Sequence, residues 1–101
     1  MEEKRVHPRV RIEFDVTCEI ADGPGLQGVA KDISLGGVFI ASAQTPPPFG
    51  TKLTVVARLP GASSESRLPG VVRWNKPDGF GVQFGLLGAR DTHSIANLLK
   101  G

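Results

Sequence analysis

Val10-Arg11-Ile12-Glu13-Phe14-Asp15-Val16-Thr17-Cys18-Glu19-Ile20 alternates without a break. Val10, Ile12, Phe14, Val16, Cys18 and Ile20 fall on one side of an extended chain. Arg11, Glu13, Asp15, Thr17 and Glu19 fall on the other. Successive side chains of a strand point to opposite faces, so this stretch buries one face and wets the other. A helix of period 3.6 would scatter the same apolar residues around its circumference.

Downstream, Asp22-Gly23-Pro24-Gly25 is a turn, and residues 26–33 form a second strand. Asp32 to Gly37 reverse the chain, and Val38 to Ala41 form a third. Pro46-Pro47-Pro48 lacks ladder donors and reads as an extended surface loop. Residues 51–59 alternate again through Leu53, Val55, Ala57 and Leu59. Gly61 to Ser66 form a flexible hairpin loop. Leu68, Gly70, Val72 and Trp74 mark a fifth strand, with Trp74 in phase with the core. Pro77-Asp78-Gly79 is a turn, and Phe80, Val82 and Phe84 mark a sixth strand. Residues 89–100 have a helical period: Ile95, Leu98 and Leu99 share a face, and Asp91 or Thr92 is placed to cap the start. Six antiparallel strands must hide two edges, and closing into a small barrel does so. A two-sheet sandwich is the alternative. The expectation is a mainly β, six-stranded antiparallel barrel with a C-terminal helix that covers an open end or packs on a partner.

The totals agree with one domain of 101 residues, 40% hydrophobic and 22% charged. Thirteen glycines and eight prolines suit short strands and turns better than a helical bundle. A net charge of +2 does not by itself call for a nucleic-acid partner. Cys18 is the single cysteine, which excludes an intrachain disulfide and fits a reduced, cytoplasmic setting. It follows the apolar parity of its strand and reads as an inert buried thiol. No apolar run approaches the roughly 20 residues of a membrane span, and the start of the chain carries no export signal. Cys18, His7 and His93 make no metal cluster of familiar spacing, and no nucleophile has a recognisable base partner. No Gly-x-x-x-x-Gly-Lys-Ser/Thr phosphate loop is present. The expectation is a protein that is not an enzyme and carries no cofactor.

Two short stretches carry chemistry. Arg5-Val6-His7-Pro8-Arg9 lies in a charged segment, residues 1–9, read as a mobile N-terminal arm ahead of a barrel over 10–101. In an extended chain Arg5 and Arg9 stand roughly 13 Å apart at about 3.3 Å per residue. In a helical turn they stand roughly 6 Å apart. An arm that curls around one compact ligand therefore grips it better. The arginine fork donates two hydrogen bonds to guanine O6 and N7 or to a phosphate, and stacks on bases. The bland alternative is a solvated basic arm. His7 either stacks on a base or is an exposed arm residue; Lys4 and Arg11 either attract phosphate or solvate the surface.

The second stretch is Lys31-Asp32-Ile33-Ser34-Leu35-Gly36-Gly37. Period two puts Asp32 and Ser34 on one side and Ile33 in the core. A carboxylate accepts from the N1 and N2 donors of guanine, a hydroxyl donates to a phosphate, and glycines allow close approach and positive φ. The alternative is a hairpin turn in which Asp32 and Ser34 bond their own backbone.

Arg-x-x-x-Arg followed one strand later by Asp-x-Ser-x-x-Gly resembles the PilZ domain family, six-stranded barrels that bind the bacterial second messenger cyclic di-GMP. Gly70-Val71-Val72-Arg73-Trp74 and Gly79-Phe80-Gly81-Val82-Gln83-Phe84 are similar to the family's last two strands, and residues 89–100 to its terminal helix. Carried over by motif, the resemblance implies a ligand site of Arg5, Arg9, Asp32, Ser34 and Gly37. Lys4, His7, Gly36 and Arg73 are auxiliary candidates, Arg73 facing either a neighbouring strand or the ligand. It further implies an arm that orders on ligand binding. The signal then passes to a protein partner in motility, pilus function or exopolysaccharide production. Two other readings stay open: an interaction module that does not use nucleotide, and a small barrel for single-stranded nucleic acid. The latter needs exposed aromatics and a basic track. The placement of most aromatics on predicted apolar faces counts against it.

Overall fold

In the computed structural model, residues 9–21 and 23–100 are described. Lys4, Arg5, His7 and the rest of the expected arm, apart from Arg9, lie outside them. The elements are β1 (Val10–Glu19), β2 (Leu26–Ile33), β3 (Gly37–Ala41), β4 (Lys52–Ala57), β5 (Ser66–Lys76), β6 (Gly79–Phe84) and α1 (Ala89–Leu99). The strands close into a barrel in the order β1-β2-β3-β6-β5-β4, every pair antiparallel. Closure leaves no long strand edge open to a foreign chain. Among the described residues no helix is long and apolar enough to cross a membrane.

The alternation of β1 survives: Val16 and Cys18 are buried while Glu13, Asp15 and Glu19 are exposed. The core gathers Ala30, Ile33, Val38, Ile40, Leu59, Leu68, Val72, Phe80 and Ile95, each almost fully buried. Burial of each large apolar side chain is worth about 1.5–3 kcal/mol relative to exposure. Burial also pushes the Cys18 thiol up to about 12 from an ordinary value near 9, because the anion would lose its water.

The helix sends Ile95 into the core, with Leu98 and Leu99 packed around it. It sits against the β4–β5 loop, where Arg90 donates to Ser64 Oγ and the Glu65 carbonyl, both at 2.9 Å. The expected cap is corrected. Gly88 is the N-cap, with no side-chain cap bond, and Asp91 instead accepts from the buried Ser66 hydroxyl at 2.7 Å. The Pro46–Pro48 loop is tied down as well. Asn75 Nδ2 donates to the Pro47 carbonyl at 3.2 Å.

Three irregularities bend the barrel. β1 carries an extra residue between Arg11 and Phe14 against β2, and Lys31 is extra in β2 against β3. Arg73 is extra in β5 against β6, because Val72 faces Val82 and Trp74 faces Gly81. The β2 and β5 bulges shift the inward parity of their strands by one, while β1 keeps its even-numbered residues inward throughout. That is why Ala30 and Ile33, an odd number apart, both point inward. It also corrects the phase expected for Trp74, which stands 40% exposed on the outer wall.

Candidate functional site

The register lines up one residue from each of five strands. Arg11 on β1 faces Asp32 on β2; Asp32 faces Phe39 on β3; Phe39 faces Gly81 on β6; Gly81 faces Trp74 on β5. This row runs over the outside of the barrel. One residue along β1, β2, β3 and β6, and two along β5 because of its bulge, Val10, Ile33, Val38, Val82 and Val72 form the inner row.

At the β2 end of the outer row, Arg9 Nη1 donates to Asp32 Oδ1. The two side chains are 28% and 26% exposed, so the pair is neither free in water nor desolvated. Only one oxygen and one nitrogen are used in this contact. Asp32 Oδ2 and the remaining guanidinium donors have no partner among the described residues. Arg9 and Asp32 can hold each other and still meet a third group.

Ser34 has a different place from the one expected of it. It is 4% exposed, inside the turn. Its Oγ accepts from the amides of Gly36 and Gly37 at 3.1 and 3.2 Å, and its own amide donates to the Gly37 carbonyl at 2.8 Å. The turn reading therefore describes Ser34, whereas Asp32 reaches across to Arg9. Gly37 is required by close approach and not by conformation. A β-carbon there would run into the Val82 carbonyl. The positive-φ residues among those described are Gly50 and Gly61, both remote from this turn in sequence.

Beside the turn lies a cleft of about 210 Å³, lined by Arg9, Gly36, Gly37, Arg73, Trp74, Gly81, Val82 and Gln83. On the other side of Asp32 a depression of about 590 Å³ is lined by Arg11, Ile12, Glu13, Lys31, Asp32, Phe39, Ala41 and Asp78. Arg9, Asp32, Gly36, Gly37 and Arg73 thus gather on one outer face. Ser34 shapes that face from below.

Sequence reasoning missed the aromatic part of this face. Phe39 and Trp74 stack with centroids 5.3 Å apart and planes 11° apart. Lys76 Nζ sits 5.3 Å from the Trp74 centroid and 6.0 Å from that of Phe39. Gly81 makes room, since a β-carbon there would collide with the indole. The signal that could have found this is the spacing of glycines on the neighbouring strand, where a large ring has to lie flat.

The sequence matches the profile of the PilZ domain over residues 3–101. A sequence search of curated proteins gave no significant match. Among solved structures, the chain resembles the Bacillus subtilis inhibitor of motility, MotI/DgrA. The TM-score is 0.72 and the identity 20%, over 96% of this chain and 50% of that one. The chain therefore spans about half the length of that protein. It also resembles the PilZ domain of CeSA from a cellulose-synthesizing bacterium, at TM-score 0.72 and 22% identity, over 93% of this chain and 96% of that one. The PilZ domain of Escherichia coli YcgR, solved with c-di-GMP, aligns at TM-score 0.74 and 13% identity, covering 97% and 90% of the two chains. A profile match across nearly the whole chain, on a closed six-stranded barrel, makes this protein a member of the PilZ domain family.

Proposed function

We propose that this domain is a cyclic di-GMP receptor that passes its signal to a protein partner and catalyses no reaction itself. The observation that carries the reading is the gathering of Arg9, Asp32, Gly36 and Gly37 on one outer face, already paired through Arg9 and Asp32. A relative of the same fold, the PilZ domain of YcgR, was solved with this nucleotide.

The chemistry fits a guanine nucleotide. Asp32 offers Oδ2 to the N1 and N2 donors of guanine, and Arg9 offers its spare donors to a phosphate or to O6 and N7. Ser34 holds the turn in the shape that exposes the Gly36–Gly37 backbone. Arg5 and Arg9 belong to one arm, residues 1–9, which orders against the barrel when ligand binds; Lys4 and His7 travel with it. The reordered arm changes the surface a partner meets. Motility, pilus function or exopolysaccharide production, in the cytoplasm, is the setting we infer.

One observation favours a second reading. The Phe39–Trp74 stack with Lys76 over it supplies the exposed aromatic surface that binding of single-stranded nucleic acid requires.

Isothermal titration separates the two. Saturable binding of cyclic di-GMP at micromolar Kd or tighter, about −8 kcal/mol or better, is expected, without binding of linear GMP or cyclic di-AMP. A dT oligonucleotide that binds instead, with affinity falling steeply as salt rises, would establish the second reading. Silence towards both, with no thermal shift, would leave an interaction module without nucleotide. Hydrogen exchange of residues 1–9 checks the arm: protection should rise on adding cyclic di-GMP.

A further inference from the structure

The β5 bulge does more than turn Trp74 outward. It makes Arg73 the extra residue of its strand, exposed and without a cross-strand partner on β6. Its guanidinium is nevertheless held. Arg73 Nε donates to Gln83 Oε1 at 2.6 Å. Gln83 is itself exposed on β6, between Gly37 on one side and Val71 on the other. Because Gly37 has no side chain, nothing from β3 covers the glutamine. The Nε bond fixes the plane of the guanidinium. It leaves both terminal nitrogens without a partner among the described residues. Those nitrogens belong to a side chain that lines the same small cleft as Arg9, over the glycines at 36, 37 and 81.

An arginine pinned at Nε, with a free pair of terminal N–H groups above a floor of glycine backbone, is arranged for bidentate recognition. The best match for two parallel N–H donors on a purine is the O6 and N7 pair of guanine. Adenine presents an N6 donor where guanine has O6, so the same fork is repelled by it. Resting on the receptor reading, we propose that Arg73 reads the Hoogsteen edge of a ligand guanine and that Gln83 is the residue that positions it. Asp32, on the neighbouring part of the face, takes the opposite, Watson–Crick edge.

The test is titration of wild type, Arg73→Met, Gln83→Leu and Gln83→Glu with cyclic di-GMP and with its 7-deaza analogue, which lacks the N7 acceptor. Wild type should prefer cyclic di-GMP. Arg73→Met should lose about 5- to 150-fold in affinity for cyclic di-GMP, the value of one good bidentate contact, and its preference over the analogue should shrink by the same factor. Gln83→Leu should lose part of the preference, and Gln83→Glu, which still accepts from Nε, should restore it. Thermal midpoints of all four proteins should agree, since both side chains are exposed. An Arg73→Met protein that binds as wild type does, or prefers cyclic di-GMP over the analogue as strongly as wild type does, would overturn this inference while leaving the receptor standing. A wild type that binds neither ligand would overturn both.

Discussion

Two rows of residues on the same five strands, one step apart on four of them and two on β5, have opposite characters. The inner row, Val10-Ile33-Val38-Val82-Val72, is wholly apolar, and all but the half-buried Val10 are dry. The outer row, Arg11-Asp32-Phe39-Gly81-Trp74, holds a cation, an anion, two stacked rings and the glycine that admits the indole. The backbone that positions one positions the other. Selection on the outer row is thus free to choose chemistry, provided the inner row keeps its volume. The bulges at Lys31 and Arg73 are where the two demands are reconciled. They let a strand keep its core residues while presenting an extra outward side chain.

The largest effect should come from the inner row. Ile33 is fully buried one residue from Asp32. Ile33→Ala should cost about 2–5 kcal/mol in urea unfolding, through lost transfer energy and the cavity left behind. A cost under about 1 kcal/mol would mean that the row is not a packed wall.

Cys18 probes the same interior by pH. Below about pH 9 its thiol is protonated in both the folded and the unfolded chain and adds no pH dependence. Between about 9 and about 12 the unfolded chain releases a proton that the fold retains. Stability should therefore fall as pH rises, by about 1.4 kcal/mol per pH unit from this group. Cys18→Ala should unfold along a shallower alkaline slope. Identical slopes would place the thiol in contact with water.

On the outer face the same scale of energy should appear in binding and not in stability. Arg9→Ala and Asp32→Ala should each weaken cyclic di-GMP by about 1.5–3 kcal/mol, roughly 10- to 150-fold. Each should change unfolding by no more than about 1 kcal/mol, since the pair is only partly buried. If Asp32→Ala instead unfolds the domain, the outer row is structural and the contrast fails.

How much of this was legible follows from where parity holds. The β1 alternation, the outward Asp32 and inward Ile33, and the closed barrel could be read because period two is strict over those stretches. Trp74 was misplaced because counting by twos from Val72 passes straight through the Arg73 bulge, and no residue type marks a bulge of this kind. For Ser34 parity could not choose between facing out and bonding its own turn, because parity stops where the strand stops. Past Ile33 the turn, and not the pleat, decides which way a side chain points. The Arg9–Asp32 contact joins residues 23 positions apart and needs the register of β1 on β2, which the β1 bulge shifts.

Ser34 follows Ile33 in the turn just past both rows, and a substitution there shows whether it serves the fold or the ligand face. Ser34→Ala removes the acceptor of two amides in a buried turn, which should cost about 1–3 kcal/mol of stability. Once corrected for the unfolded fraction, affinity for cyclic di-GMP should be close to wild type. A large loss of affinity with unchanged stability would move the hydroxyl to the ligand and remove the distinction between turn and face.

The smallest effect tests whether the outer row has a stability of its own. Phe39→Leu keeps an apolar group opposite Gly81 but abolishes the stack on Trp74. Aromatic pairs contribute about 0.5–1.5 kcal/mol beyond their buried area. That loss should appear in unfolding, with Trp74 emission moving to the red as the indole gains water. If both stay unchanged, the Arg73 bulge alone holds Trp74 on the wall, and the outer row is a set of independent side chains on a shared scaffold. If both change and Arg73-dependent binding weakens with them, the row acts as a unit. The stack then fixes the bulge, and the bulge in turn aims the arginine.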